Sequence, residues 1–287
     1  MLDAYFESDK EVLLFCEHLF RRNKQMELHW KIHEEWGNHI QVEENLPYNE
    51  LISNVAWAMA EVYIAHRLGS TINHIIEKYY YFSNAEEIER IHDIAIWIFA
   101  GEDEDSLSVR KKKSDDPKQL LHSLFIGNIK QTHPVHYDSI VKFGLKVFRD
   151  HLIHLVGLAI DEFKREEEHQ EFVNSLREYI AKKRPGLPII HILQGETFSF
   201  FKDNGKRLTN IELRRLMKKE PLYIVGLDED ELNLGPLIAM VPKNVKIYGE
   251  DPSDPKTLTV INVFQEKAQF ESIKHFPFSH YLKNESK

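Results

Sequence analysis

The segment from His136 to Arg184 limits the fold more than any other part of the chain, because it reads as one long helical region closed by Pro185. A proline and the residue before it both disfavour continuation of a helix, so "KKRPG" ends it. On a helical wheel Leu145, Phe148, Leu152, Leu155 and Ala159 form one stripe, while Ile140, Val147 and Leu158 lie on another face. A helix that is apolar on two sides must be covered on two sides, which places it centrally in a bundle. Gly157 on this helix would let one neighbour approach closely.

The partners for such a helix lie upstream. From Tyr48 to Phe82 apolar residues recur at helical spacing, Ser83 with Glu86 forms a capping-box pattern for the next helix, and another helix is expected from Lys118 to about Ile126. Residues 1–45 differ in period. "LDAYFE", "MELHWKIH" and "NHIQVEE" alternate like strands, Ser8 with Glu11 reads as the capping box of an intervening helix, and Gly37 marks a turn. Beyond Pro185 strands and helices alternate. "PIIHIL" and "TFSFF" read as a hairpin, "DNG" as a turn, and Thr209 with Glu212 and Asp228 with Glu231 as helix starts. "NVKIYG", a helix through "PKTLTVINVFQE" and "AQFESI" then make a parallel strand-helix-strand ending. The expected fold class is mixed α+β. Its expected divisions are an N-terminal α+β unit over 1–46, whose strands could join the C-terminal sheet, a helical domain over 47–184 and an α/β domain over 185–287.

With 287 residues and 42% apolar side chains the chain can bury a substantial core. A lone cysteine, Cys16, precludes an internal disulfide and sits on the apolar face of a short helix, where an inert thiol is expected. The N-terminus lacks a basic n-region and a small-residue cleavage site, and no apolar run approaches the roughly 18 residues that cross a bilayer. These features point to the cytoplasm without membrane insertion. A net charge of -9 opposes attraction to phosphate backbones, so nucleic acid is not an expected partner. The basic run Arg110 to Lys113 is flanked by acids and reads as a solvated loop.

Two helices each carry a glutamate three residues before a histidine, Glu89 with His92 and Glu166 with His169. A four-helix carboxylate site for two metal ions uses such pairs together with two single glutamates from other helices. Glu61 or Glu77 could be the first. No glutamate occurs between Glu104 and Glu162, so Asp138 or Asp150 would have to serve as the second. At this content of histidine and glutamate, two such pairs also arise by chance. His151 and His154 stand one turn apart, with Asp161 and Glu162 further along, and could form an interhelical pocket or be satisfied core histidines. "HPVH" at 133–136 is expected in a loop or helix entrance. In "IYGEDPSDPKTL", Glu250, Asp251 and Asp254 occupy the place where α/β proteins bind phosphate but would repel it; Asp254 before Pro255 reads as an N-cap. No phosphate-loop, dinucleotide-binding or nucleophile-elbow pattern is present. No catalytic residue is assigned and no cofactor is expected, with a divalent metal left open.

The stretch "YDSIVKFGLKVFRDHLIHLVGLAIDEFKREEEHQEFVNSLREYI" resembles the YtxC-like sporulation protein family of endospore-forming bacteria. Phe143, Leu145, Asp161, Glu162, Phe163, Glu168, Glu171, Phe172, Leu176, Arg177 and Tyr179 match its pattern. The likeness extends through "IIHILQGETFSFFKDNGKRL" and "LGPLIAMVPKNVKIYG", back to "YYYFSNAEEIERI" and, less specifically, to the N-terminus. His169 stands where the family pattern carries a tyrosine, a trade not expected of a metal ligand. The resemblance implies a role in spore formation in the cytoplasm of a Gram-positive cell, with no defined chemistry. A non-catalytic interaction or scaffold protein with a protein partner in sporulating cells is one reading. A ligand-binding protein or enzyme using His151, His154, Asp161 and Glu162 is the other.

Overall fold

The computed structural model describes residues 2–24, 26–43, 47–102, 104–110, 116–130, 133–228 and 230–281. The basic run Arg110 to Lys113 lies outside them apart from the Arg110 backbone, as does the end of the polar tail. The protein is mixed α+β and divides into two compact units, Met1–Arg165 and Glu166–Lys287.

In the first unit, β1 (Leu2–Phe6) leads into α1 (Asp9–Arg22), and β2 (Glu27–His33) and β3 (Gly37–Glu43) form a hairpin. Gly37 has φ +72, and a Cβ there would stand 2.8 Å from the Phe6 carbonyl oxygen, so the turn demands glycine. Helices α2 (Tyr48–His66), α3 (Leu68–Lys78), α4 (Ala85–Ala100), α5 (Glu104–Arg110) and α6 (Pro117–Asn128) follow. Then come β4 (Val135–His136), one helical turn α7 (Tyr137–Ser139), a π-helical turn Ile140–Gly144 and α8 (Lys146–Ala181). The sheet has the order β2-β3-β1-β4, with β4 parallel to β1. Alternation buries Leu2, Ala4 and Phe6 of β1 with Ile40 and Val42 of β3 against the helices.

Those strand residues share one core with Phe15, Met59, Ile76, Ile98, Phe125, Phe148 and Leu152. The strands β1 and β3, α1 and the helices after them thus share one packed body, because a single-faced sheet buries its apolar side on the helices that follow it. Phe148, Leu152, Leu155 and Ala159 of α8 are buried in this core as one face, widened by Val156, Ile160 and Phe163, but the expected second buried face is corrected: Val147 is 57% exposed and Leu158 only half-buried.

In the second unit the last turns of α8 contribute Val173, Leu176 and Ile180 to a separate core. The strands β5 (Leu187–Leu193), β6 (Ser199–Lys202), β7 (Pro242–Gly249) and β8 (Ala268–Ser272) form a sheet ordered β6-β5-β7-β8, so the N-terminal strands keep to a sheet of their own. β5–β6 is antiparallel, whereas β7 is parallel to both β5 and β8. Helices α9 (Asn210–Met217), α10 (Gly235–Met240) and α11 (Pro255–Phe264) complete the unit. The Thr209–Glu212 capping box has both of its reciprocal bonds, and Asp254 caps α11 ahead of Pro255.

Four local readings are corrected. Ser8 is the N-cap of α1 but its side chain makes no cap bond, because Glu11 is buried and accepts from Arg67 instead. The cap of α4 is Asn84, one residue after Ser83, and accepts from the Glu86 and Glu87 amides. The helix after Asp228 begins only at Gly235, where the Glu231 carboxylate accepts from the Leu234 and Gly235 amides. Val135 and His136 are a strand paired with Ala4 and Tyr5 rather than a loop.

Candidate functional site

His154 and Asp161 project from α8 two turns apart, and both are exposed. With Tyr80 and Lys164 they line an open cleft of about 340 Å³ that neither His151 nor Glu162 borders. Glu162 pairs with Arg165, and His151 is half-buried. The close neighbour that Gly157 admits is Tyr80: its hydroxyl donates to the Ile153 carbonyl at 2.8 Å and lies 2.7 Å from where a Gly157 Cβ would stand. Burial, then the charge of Asp161, pushes the Tyr80 phenol up. The structure therefore gathers two of the four expected pocket residues and adds Tyr80.

Of the glutamate-histidine pairs, Glu89 is exposed on α4, and His92 Nδ1 lies 3.4 Å from Asp93. Glu166 is half-buried and His169 exposed on α8. Glu61 is half-buried, and Glu77 and Asp150 are exposed. Among the described residues, one group of three His, Cys, Asp or Glu side chains brings its ligand atoms within 4.8 Å of one another. It is Glu27, His29 and Glu43, all exposed at the hairpin.

Asp138 serves another purpose. Arg67, at the junction of α2 and α3, donates to both oxygens of Glu11 and, at 2.9 Å, to Asp138. Asp138 also accepts from the Glu7 amide at 2.9 Å. The charge-assisted bonds that Arg67 donates to Glu11 outweigh desolvation and raise the Arg67 pKa further. This network ties α1, the α2–α3 junction and α7 together above the buried Tyr137 ring. Burial, followed by the nearby Glu11 charge, pushes the Tyr137 phenol up. Cys16 is half-buried, and burial lifts its thiol to about 11, which leaves it protonated and unreactive.

At the carboxyl ends of β5 and β7, Gln194 fills the position where a phosphate would bind. Its Oε1 accepts from the Glu250 and Asp251 amides at 3.1 and 3.2 Å, and its Nε2 donates to the Asp251 carbonyl and to Thr257. Asp251 accepts from Ser253, and Asp254 caps α11, so these two acids serve the local turn and helix start.

A set of chemically versatile side chains lies on the face of the first sheet opposite its core. Alternation puts Tyr5 on that face, and the register sets it beside His39 of β3 and His136 of β4. The Tyr5 ring is stacked between the two imidazoles, 4.5 Å from His39 at 7° and 4.9 Å from His136 at 14°. His39 Nε2 lies 2.8 Å from Asp3 Oδ1, which orients the first imidazole. Trp36, at the hairpin turn, stacks on His33 at 4.7 Å and meets Tyr5 and His136 edge-on. Burial, then the Asp3 charge, raises the Tyr5 pKa, so the phenol remains a neutral donor. Next to this layer a cavity of about 310 Å³ is lined by Tyr5, Trp36, His136, Glu7, Glu35 and Asp138 among others. Such a surface can stack planar groups, donate from phenol and imidazole and attract cations through its acids. Alternation alone puts Asp3 and Tyr5 on one face, but the stack depends on cross-strand register and on His136, more than 130 residues from Tyr5.

Two four-stranded mixed sheets with a predominantly helical first unit define a mixed α+β protein in which no helix, among the described residues, is long and apolar enough to cross a membrane. The chain belongs to the YtxC-like family, whose model matches residues 53–269. It is 30% identical over 207 residues, 70% of each chain, to a Bacillus subtilis (strain 168) protein bearing the name uncharacterized protein YtxC. No solved structure matches it. Tyr5, His33, Trp36 and His39 precede the matched residues, whereas Tyr80, His136, His154 and Asp161 fall within them.

Proposed function

We propose that this protein acts in spore formation, in the cytoplasm, as a non-catalytic interaction or scaffold protein, and that the open face of its first sheet is the surface that meets a protein partner. The observation that carries this reading is the ring layer itself: Tyr5, His33, Trp36, His39 and His136 pack against one another on a solvent-facing sheet. Aromatic side chains ordered in advance on a rigid sheet lose little entropy on binding, which is why they anchor protein interfaces. The ionisable groups elsewhere support it as well. Arg67 with Glu11 and Asp138, Lys183 with Glu220 and Tyr179, and the cap at Asp254 all hold elements in place. The sporulation role rests on kinship with the family.

The test is a chain carrying His33→Ala and Trp36→Ala in an endospore-forming host that depends on it. Sporulation efficiency should fall by about tenfold or more, the factor that a loss of roughly 1.4 kcal/mol in partner affinity produces. Cellular abundance and melting temperature should remain near those of the parent. Unimpaired sporulation would refute the assignment.

The second reading, a ligand site in the cleft of His154, Asp161 and Tyr80, is favoured by that cleft's mixture of acid, imidazole and phenol. Alanine at His154 decides it, with alanine at the non-lining His151 as the control. Reduced sporulation with a normal melt in the His154 variant alone supports a functional cleft, and joint loss of stability and sporulation makes that histidine structural.

A further inference from the structure

The cavity beside the ring layer has a definite chemical bias. Among the described residues its lining contains three carboxylates, Glu7, Glu35 and Asp138, and no lysine or arginine. Asp138 already has both oxygens engaged, one by the Glu7 amide and one by Arg67. Glu7 and Glu35 are exposed. The Trp36 indole, 43% exposed, borders the same space. Two available carboxylates beside an indole complement a cation, and the chain's net charge of -9 adds a long-range attraction for a basic partner.

We infer that this cavity receives the guanidinium of an arginine presented by a basic segment of a protein partner, an inference that rests on reading the sheet face as a partner surface. A guanidinium is planar, stacks on an indole and presents a fork of N–H donors to carboxylates, whereas an ammonium is a point charge with neither property. The volume of about 310 Å³ is at the small end of ligand cavities, which run to about 1,000 Å³, and suits one inserted side chain. The same carboxylates repel the phosphates of a nucleic acid.

The experiment follows the indole N–H resonances of the intact protein by NMR, with Trp36 assigned by its disappearance in Trp36→Phe. The probes are the peptide acetyl-Gly-Arg-Gly-Arg-Gly-amide and its counterpart with citrulline, an uncharged isostere, at each arginine. The arginine peptide should shift the Trp36 signal saturably, and the citrulline peptide should bind about tenfold more weakly or less, as expected when charge-assisted bonds are lost. Glu7→Gln combined with Glu35→Gln should weaken the arginine peptide by a similar factor, while Glu34→Gln, outside the cavity lining, should not. Equal binding of the two peptides, no Trp36 shift at millimolar peptide, or undiminished affinity in the folded double variant would each overturn the inference. If the double variant does not fold, the citrulline comparison in the parent protein decides. A sporulation defect in the His33→Ala, Trp36→Ala chain, with no arginine-peptide binding by the parent protein, would overturn the arginine assignment and leave the partner surface standing. Arginine-peptide binding by the parent protein, with normal sporulation in that chain, would overturn the partner surface and leave only a cation-binding cavity.

Discussion

The two sheets use the same chemistry to opposite ends. In the second sheet Ile190, Ile192, Val245 and Ile247 face one core, while Leu193, Phe201 and Tyr248 on the other face are packed with Phe276 and the half-buried Phe278 and Tyr281. His191 lies there at 7% exposure, with Nδ1 3.1 Å from the Tyr248 hydroxyl, and Phe278 meets its ring edge-on. Burial lowers the His191 pKa and lifts the Tyr248 phenol to about 12, with the Glu271 charge adding to the latter. In the first sheet Tyr5 and its histidines are only half-buried, and Trp36 is 43% exposed. A stacked Tyr–His pair is therefore core material where residues 273–281 lie over it and surface material where the chain leaves it open. Substitutions on the second sheet should be read out as stability and those on the first as binding.

The largest effect should come from Phe201→Ala, which empties a site 1% exposed and should cost about 3–5 kcal/mol. Hydrogen exchange should place the loss in β5–β8 and spare β1–β3; equal loss in both sheets would break the contrast. Arg67→Ala is the first unit's counterpart. It leaves the 3%-exposed Glu11 carboxylate unpaired, and should cost about 3 kcal/mol in urea unfolding, toward the low end for buried pairs because the guanidinium is itself 38% exposed. Gly157→Ala should cost about 1–3 kcal/mol by pressing on the Tyr80 hydroxyl, and combining it with Tyr80→Phe should recover part of that.

The pH dependence separates the sheets more finely. A histidine whose folded pKa is lowered favours the folded state fully above its ordinary value, about 6.5, and that advantage is lost as pH falls below it. His191 should therefore make the protein less stable between pH 7 and 5, and His191→Gln should flatten that slope in a melting series. His122, stacked on Trp57 in the first unit and likewise lowered chiefly by burial, should account for slope that survives. Glu35→Gln should give the smallest change, within about 0.5 kcal/mol of the parent as for other exposed positions, while still weakening arginine binding.

Much of the fold was legible from local pattern, since strand alternation, the Thr209–Glu212 capping box, the Asp254–Pro255 start and the room for a close neighbour at Gly157 are all decided within a few residues. Ser8-x-x-Glu11 and Ser83-x-x-Glu86 read the same way as Thr209-x-x-Glu212, yet neither forms a box. Arg67, 56 residues from Glu11, takes the first glutamate, and Asn84 displaces Ser83 by one position. The candidate site was least legible. Tyr5, His39 and His136 meet only through strand register and through a two-residue strand from "HPVH", where Pro134 favoured a loop reading. His154 and Asp161 could be placed on one face from their spacing, but Tyr80, which completes their cleft, comes from another part of the chain.

Hydroxyl-radical footprinting of the intact protein, in buffer and then in extract from sporulating cells, tests the central contrast most directly. Trp36 and Tyr5 should be oxidised in buffer and protected in extract, with Tyr248 and Phe201 unreactive in both. Protection confined to Tyr80 and His154, with Trp36 oxidised equally in both conditions, would contradict the account.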